Sequence, residues 1–369
     1  MRWDDAAGPV EAIYVSLRGG PEPKRALPAD DRLTADAAFR LVSQGTAIVW
    51  RGDFVNARQL LQALTRRVEG RLTILSDPAQ PEASFHSYRQ VHAQRANMLS
   101  LLLVPLRDGA IALKRAPDVA EALSEAVGSL HGEAVMPLRD VLTTLSASEW
   151  HRKGVPIAAL EGQTIHPRFG VFPPTRQDYI HLVAEAPMPR VETAFDLGTG
   201  SGVLGAVLLH RGVPRVVATD TSHQAIDTAR ESFVRLGYAD RVELVPDVLY
   251  PFGMAGLIVC NPPWLPGKAG TSLESAVYDP GATMLRGFLS GLGDHLLSDG
   301  EGWLIMSDLA EHLGLRKAGE LEAMIAAVGM VVAGRLDAPP SPKGARNADD
   351  PLYFARSREV VSLWRLRRA

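Results

Sequence analysis

The carboxy-terminal part of the chain alternates short apolar runs with segments whose apolar residues recur at helical spacing. The apolar runs have the length of buried strands and lie at residues 193–197, 216–219, 242–245, 257–260 and 302–307. The helical segments begin at Gly202 and continue at residues 222–236, 284–297 and 315–328. Two late runs, 331–336 and 360–366, predict an antiparallel edge. This alternation predicts a doubly wound α/β domain over residues 160–369, with a mostly parallel seven-stranded sheet.

The amino-terminal part has a different pattern, which predicts a smaller mixed α/β domain over residues 1–148. Residues 1–33 are rich in proline, glycine and charge, so we expect an arm or loop with one strand-like run at 12–15. A helix capped by Asn56 is predicted. The other predicted elements are helices at 37–42, 84–98 and 118–127 and strands at 46–50, 101–105 and 110–113. We expect this domain to select the substrate.

The strand at 193–197 runs directly into Gly198-Thr199-Gly200-Ser201-Gly202. Alternating glycines let the backbone approach a ligand closely, because no Cβ intervenes and a positive φ costs little. The following helix offers unpaired N–H groups at its first turn, and ligands of such folds bind outside the carboxyl ends of the strands. The loop therefore predicts a nucleotide-like ligand, although a glycine-rich turn without a ligand also fits this stretch alone.

Two such ligands are compatible with the loop. Gly200 to Gly205 matches the GxGxxG dinucleotide pattern, but it begins three residues after the strand rather than directly after it. The second alternative uses Asp196, Gly198, Gly200 and Gly202, and it resembles the first motif of class I methyltransferases. In those enzymes the acidic residue at the strand end faces the ammonium of the cofactor's methionine, whereas a carboxylate would repel a pyrophosphate. This favours S-adenosylmethionine over NAD(P).

Asp220 ends the next strand, 18 residues after Gly202. An acidic residue about 20 residues beyond a glycine loop binds ribose hydroxyls in nucleotide-binding folds. Asp220, Thr221 or Ser222 could instead cap the helix that follows, and both roles are compatible. We therefore predict the ribose end of the cofactor site here.

The tetrapeptide Asn261-Pro262-Pro263-Trp264 follows the strand at 257–260. Its prolines fix φ and lack N–H donors, which leaves carbonyl groups as acceptors. The Asn261 oxygen and the Pro262 carbonyl can accept both protons of an NH₂ group, and Trp264 offers a flat face for stacking. These hydrogen bonds localise the lone pair of an amide or arylamine nitrogen, and alignment with the methyl carbon can supply about 7–11 kcal/mol. The tetrapeptide therefore predicts a planar nitrogen acceptor, although alone it also fits a Pro-Pro turn.

Together, the two motifs resemble the small-domain N-methyltransferases, which include release-factor glutamine N5, ribosomal RNA guanine-N2 and adenine-N6 enzymes. The resemblance covers roughly residues 165–310; Tyr278-Asp279-Pro280 is similar to the glutamine enzymes, and Gly170-Val171-Phe172, with Asp178 following, to the guanine enzymes. It implies that Asp247 holds the adenine amine, although a solvated carboxylate also fits there. The cofactor-binding residues expected are Asp196, Gly198, Thr199, Gly200, Gly202, Asp220, Thr221, Asp247, Val248 and Asn261.

Composition narrows the possible partners. The formal net charge of −3 over 369 residues gives no global basic field for nucleic acid, although one local basic face would suffice. Cys260 is the only cysteine, and we expect it in a buried strand of a cytoplasmic protein. Histidine spacing predicts no metal site, and no run of about 18 apolar residues predicts a membrane span.

The acceptor expected from these residues is a protein or an RNA. A small metabolite is the alternative acceptor, and an NAD(P)-dependent oxidoreductase is the alternative from another class. The sequence carries no signal for an oligomeric state. The proline-rich stretch at 338–346 is predicted to be a loop.

Overall fold

The computed structural model describes residues 1–5, 8–270, 273–339 and 347–369. The chain forms two compact units. One unit comprises Met1–Leu75 and Phe85–Glu149, and the other comprises Ser76–Ser84 and Trp150–Ala369. The predicted loop at 338–346 lies largely outside the described residues. Within the described part of the chain, no helix combines the length and apolar character that crossing a membrane requires.

The elements up to residue 153 alternate short strands with helices. They are β1 (Arg2–Asp5), β2 (Gly8–Glu11), β3 (Ile13–Tyr14), β4 (Arg25–Ala29), α1 (Ala35–Ser43), β5 (Thr46–Trp50), α2 (Phe54–Glu69), α3 (Pro81–Leu99), β6 (Leu102–Arg107), β7 (Ala110–Ile111), α4 (Ala120–Val127), β8 (Glu133–Pro137) and α5 (Leu138–Lys153). The main sheet has the order β3-β8-β6-β5-β4, and β7 pairs antiparallel with β6 across a turn at Asp108-Gly109. Its core includes Ile48, Leu64 and Met136.

Two local predictions for this unit were wrong. The arm or loop expected over residues 1–33 instead contains β1, which pairs antiparallel with β2, and strand β4 at residues 25–29, which pairs in parallel with β5 at the edge of the sheet. Pro28 argues against a strand, but a proline is tolerated where the strand lies at an edge. Helix α2 is capped by Asp53, which accepts a hydrogen bond from the Val55 N–H at 2.8 Å. Asn56 instead donates its side-chain amide to Asp31 at 3.0 Å.

The elements of the carboxy-terminal unit follow the predicted alternation. They are β9 (Val155–Pro156), β10 (Thr164–Ile165), α6 (Asp178–Glu185), β11 (Thr193–Leu197), α7 (Val203–His210), β12 (Arg215–Asp220), α8 (His223–Arg235), β13 (Val242–Pro246), β14 (Ala255–Cys260), α9 (Thr283–His295), β15 (Leu296–Ser307), α10 (Leu309–His312), α11 (Glu320–Ala327), β16 (Met330–Ala338), α12 (Tyr353–Arg356) and β17 (Val361–Arg368). Four short 3₁₀ turns lie at Ala158–Leu160, Ala239–Arg241, Glu274–Ala276 and Pro280–Ala282.

One seven-stranded sheet organises this unit, in the order β13-β12-β11-β14-β15-β17-β16. The first five strands are parallel, and β17 runs antiparallel between β15 and β16. Helices α6, α7 and α8 supply Val183, Val207 and Phe233 to one apolar cluster. Helices α9 and α11 supply Phe288 and Ile325 to the other. The predicted doubly wound α/β fold is confirmed.

A buried carboxylate ties β15 to β17. Glu301 is fully buried and accepts hydrogen bonds from Arg365 at 2.7 and 2.8 Å, from Arg367, and from the Trp303 indole at 2.9 Å. Burial alone would raise the pKa of Glu301, but the hydrogen bonds from Arg365, Trp303 and Arg367 outweigh it and lower that pKa to about 2. The antiparallel strand is therefore held to the parallel sheet by charge as well as by backbone pairing.

We expect Glu301→Gln to lower the free energy of unfolding at neutral pH by about 2–3 kcal/mol, because two arginines lose their counter-charge. The pKa of Glu301 in the folded protein is lower than the ordinary value of 4.5. The stabilisation by its carboxylate is therefore fully present above about pH 4.5 and is lost as the pH falls toward 2. Urea unfolding at several pH values should show the difference between wild type and variant shrinking below about pH 5.

The matched control is Glu243→Gln, which breaks an exposed pair with Arg215. Its effect on the free energy of unfolding should stay below about 1 kcal/mol. Equal effects of the two substitutions would contradict the importance assigned to the buried carboxylate.

Candidate active site at the carboxyl ends of the central strands

Three neighbouring strands end at one edge of the sheet. In the parallel register, Leu197 at the end of β11 pairs with Thr219 of β12 on one side and with Cys260 of β14 on the other. Neighbouring strands lie about 4.8 Å apart, so Gly198 and Asn261 begin side by side. The two motifs, far apart in sequence, therefore share one site edge.

The glycine loop crosses this edge with its backbone in the left-handed region. Gly198 has φ +70° and Gly200 has φ +54°, which favour residues without a Cβ. A Cβ at Gly198 would collide with the terminal methyl group of Met284 from α9, whereas one at Gly200 would meet open space. The loop therefore packs against α9 at Gly198 and leaves room for a ligand beside Gly200.

Asp196 lies beneath the loop and is almost completely buried. Its Oδ2 accepts hydrogen bonds from the Thr199 hydroxyl at 2.6 Å and from the Gly205 N–H at 2.9 Å. The pKa of Asp196 is raised to about 6. Burial is the main cause and the charge of the nearby Asp220 adds to the rise, whereas the hydrogen bonds from Thr199 and Gly205 oppose it. Asp196 thus fixes the loop from below and carries a charge that burial makes costly.

Asp220 links the loop to the next helix. Its Oδ2 accepts the Gly200 N–H at 2.9 Å and its Oδ1 accepts the Ser222 N–H at 2.8 Å. Burial raises the pKa of Asp220, and these backbone hydrogen bonds oppose the rise. Ser222 caps α8 by accepting the Ala225 N–H at 3.3 Å, so the cap and the predicted ribose residue are separate side chains. Each carboxylate oxygen keeps a second lone pair for another donor.

The candidate adenine residues lie next to Asp220. Asp247 follows β13 at φ +65° and donates its N–H to the Asp220 carbonyl at 3.0 Å. Its carboxylate is exposed and lies 3.5 Å from the His223 Nε2. Val248 and Thr221 are exposed beside it. These residues therefore form the open rim of the edge, in contrast to the buried Asp196.

The tetrapeptide begins where β14 ends. The Asn261 Oδ1 accepts a hydrogen bond from the Trp264 indole N–H at 2.9 Å. Pro262 is buried, Pro263 and Trp264 are half-buried, and no described residue donates a hydrogen bond to the Pro262 carbonyl. The Asn261 amide is thus oriented from within the tetrapeptide, and the neighbouring carbonyl keeps its acceptor capacity.

Sequence reasoning missed the cluster that contacts Trp264. The Arg176 guanidinium lies over the indole ring, 5.0 Å from its centroid. It forms ion pairs with Asp178 at 2.7 Å and with both oxygens of Glu359 at 3.0 and 3.1 Å. The family resemblance includes Asp178 without giving it this role, and Glu359 gives no sequence signal. The only local pattern in the sequence is the spacing of Arg176 and Asp178 just before a predicted helix, which is compatible with an ion pair between them.

Asp279 supports the same edge from the loop after the tetrapeptide. It is buried and accepts the N–H groups of Met284 and Leu285 at 2.9 and 3.2 Å, at the start of α9. Its own N–H bonds to the Leu265 carbonyl at 2.9 Å. Asp279 therefore joins the segment after Trp264 to the helix that contacts Gly198.

The site thus combines two chemical environments. Carboxylates at β11 and β12 favour a cation and hydroxyl donors, while β14 presents neutral hydrogen-bond acceptors and an indole ring. Among the residues that the structure describes, no three His, Cys, Asp or Glu side chains come together as metal ligands would.

The sequence of the carboxy-terminal unit is similar to those of known methyltransferases. Residues 163–331 match the family model of the methyltransferase small domain. A release factor glutamine methyltransferase of Moorella thermoacetica is 38% identical over 127 residues, which cover 32% of this chain and 44% of that protein. A ribosomal protein L11 methyltransferase of Tolumonas auensis is 30% identical over 122 residues, which cover 32% and 42% of the two chains.

A third relative is a tRNA1(Val) (adenine(37)-N6)-methyltransferase of Shewanella woodyi. It is 26% identical over 108 residues, which cover 27% of this chain and 44% of that protein. The chain spans less than half the length of these curated relatives. Residues 163–331, slightly less than half of the chain, thus match the methyltransferase small domain, and the relatives that this segment resembles are methyltransferases.

Proposed function

We propose that this protein transfers a methyl group from S-adenosylmethionine to a planar amide or exocyclic amine nitrogen of a protein or an RNA. The observation that carries the proposal is the parallel pairing of β11 with β14, which sets Gly198 beside Asn261. A cofactor held at the glycine loop and an acceptor held at the tetrapeptide are then neighbours.

The residues around the glycine loop fit the cofactor. Gly200 has open space where a Cβ would be, Asp220 has lone pairs left for ribose hydroxyls, and Asp247 and Val248 are available to the adenine at the rim. Thr199, Gly202 and Thr221 complete this set by shaping the backbone. Asp196 acts on the cofactor's positive charge through the field of a buried carboxylate, since it is almost inaccessible itself. When bound, S-adenosylmethionine supplies an activated methyl group.

The acceptor is oriented by neutral groups. The Asn261 Oδ1 has two lone pairs, of which the Trp264 N–H uses one, so the other is open to a proton of the acceptor NH₂. The Pro262 carbonyl accepts the second proton, and Pro263 holds the turn. Hydrogen bonds at both protons turn the nitrogen lone pair outward, so positioning rather than a strong base drives the transfer. The N–C bond would form as the C–S bond breaks, S-adenosylhomocysteine would leave, and the methylated nitrogen would lose one proton to solvent.

Two observations favour a macromolecular acceptor. The relatives are named for a release factor glutamine, a ribosomal protein and a tRNA adenine. The chain also has a further compact unit, Met1–Leu75 with Phe85–Glu149, that could recognise such a partner. A small metabolite is the alternative. An oxidoreductase is less well supported, because it leaves Asn261 and Trp264 without a role. A cytoplasmic location fits the single, buried Cys260.

Methyl-tritiated S-adenosylmethionine, incubated with the protein and fractionated cell extract, should place label in acid-insoluble material. Proteinase and ribonuclease digestion then identify the acceptor class. Label confined to the small-molecule fraction would rule out a macromolecular acceptor. Cofactor binding without any labelled product would rule out methyl transfer.

We expect Asn261→Ala to lower the transfer rate roughly 100-fold, because one of the two acceptor hydrogen bonds and the alignment it gives are lost. Affinity for S-adenosylhomocysteine, measured by calorimetry, should stay within about threefold. The exposed Asn347→Ala, in the same unit but outside the site, is the matched control and should leave both quantities unchanged. Full activity of Asn261→Ala would refute the assigned role.

Cofactor affinity should rise with pH. The Asp196 pKa of about 6 lies above the ordinary 3.8, so the free protein holds this carboxyl partly protonated below pH 6. A bound cation favours the ionised form, so affinity should increase about tenfold from pH 5 to 7 and then level off. Calorimetric titration of Asp196→Asn should show a much weaker pH dependence, whereas Asp220→Asn should keep the dependence but move it to lower pH, because the charge of Asp220 no longer raises the Asp196 pKa. A flat wild-type profile would exclude this coupling.

A further inference from the structure

A continuous set of contacts joins Asn261 to a buried charge cluster. The Trp264 indole donates to the Asn261 oxygen at 2.9 Å, and the Arg176 guanidinium lies 5.0 Å from the centroid of the same indole. A guanidinium within about 6 Å of an indole face is attracted by the electron density of the ring. Arg176 therefore acts on the ring whose N–H orients the Asn261 amide.

The position of Arg176 is itself fixed on two sides. Asp178, the first residue of α6, accepts from its Nε at 2.7 Å. Glu359, which is 7% exposed, accepts from its Nη1 with both oxygens and also accepts the Ser307 hydroxyl at 2.7 Å. Two carboxylates from separate segments thus define the plane of the guanidinium.

One nitrogen of Arg176 supports the importance of the ring contact. Its Nη2 is buried and has no hydrogen-bond partner among the residues that the structure describes. A buried donor without a conventional acceptor gains from an aromatic face, since N–H groups interact with π electrons. The Trp264 ring is the aromatic face that this guanidinium contacts.

We propose that Arg176 is a positioning residue of the acceptor site. It does not touch the acceptor but holds the Trp264 plane, and the indole N–H in turn holds the Asn261 oxygen. This inference rests on the proposed function for its catalytic consequence. A planar, bidentate side chain suits the task and lysine does not, because an ammonium neither stacks on the ring nor satisfies Glu359 with paired donors.

The first test follows Trp264 directly and needs no acceptor. The protein is labelled with 5-fluorotryptophan, and the Trp264 signal among the six tryptophans is assigned with Trp264→Phe. Arg176→Met should shift the ¹⁹F signal of Trp264 and the side-chain amide signals of Asn261, assigned with Asn261→Asp. If Arg176→Met does not fold, Arg176→Lys, which keeps a positive charge beside Glu359, replaces it.

Arg335→Met is the matched control. Arg335 lies 4.5 Å from the ring centroid of another tryptophan, Trp364, at the far strands of the same sheet. Its replacement should move the Trp364 signal and leave those of Trp264 and Asn261 in place. Unchanged Trp264 and Asn261 signals in the Arg176 variant would overturn the inference.

The second test is a double-mutant cycle on methyl transfer to the acid-insoluble fraction. Arg176→Met should lower kcat about tenfold in the wild-type background, with affinity for S-adenosylhomocysteine unchanged. In the Trp264→Phe background it should lower kcat less than about twofold, because the indole N–H that relays its effect is already gone. Additive losses, or a loss of cofactor affinity, would overturn the inference in favour of direct contact or a general structural role.

The two tests separate the inference from the proposed function. A wild-type protein that transfers no label but shows the ¹⁹F and amide responses would overturn the function and support the Arg176–Trp264–Asn261 coupling. A protein that transfers label without those responses would keep the function and overturn the coupling.

Discussion

The site depends on the parallel register of β11 with its two neighbours. Leu197 pairs with Thr219 and with Cys260, so the three strands end within one residue of each other and their loops leave the sheet at the same edge. A one-residue slip would turn Asp196 to the other face of the sheet, because side chains alternate along a strand. The apolar clusters on both faces make such a slip costly, since each strand is buried on both sides. Packing therefore fixes the spacing between the glycine loop and the tetrapeptide.

Charge burial at this edge has a physical cost that the loop partly offsets. Asp196 and Asp220 both lie in low-dielectric surroundings, and each is satisfied mainly by N–H and hydroxyl groups of the loop and helix starts. Such donors stabilise the carboxylates without neutralising them, so their pKa values remain raised. A bound cation lowers the same cost further, which couples cofactor binding to the ionisation of buried groups.

The parts that sequence predicts well are those encoded by contiguous residues. The glycine loop and the tetrapeptide each follow a buried strand. Because the carboxyl ends of parallel strands lie at the same edge of a sheet, the sequence predicts that the two motifs are close together. The Arg176–Glu359 pair joins residues 183 positions apart, and no local pattern signals such a contact. Strand β4 was missed because an edge position relaxes the rule against proline. The cap of α2 was misassigned because Asp53 and Asn56 are both good caps, and the choice is made by tertiary contacts of Asn56 with Asp31.

The electrostatic contrast across the site limits which acceptors fit it. On the cofactor side the groups are carboxylates, and at the tetrapeptide the Arg176 guanidinium is paired with two carboxylates, Asp178 and Glu359. Trp264 therefore presents an indole backed by a buried ion-pair cluster, and Asn261 presents an uncharged amide. A protonated alkyl amine has no lone pair to offer and gains little from neutral acceptors. With the acceptor proposed above, an amide or nucleobase amine would stack on the indole and keep its lone pair, so the tetrapeptide side of the site would select planar groups.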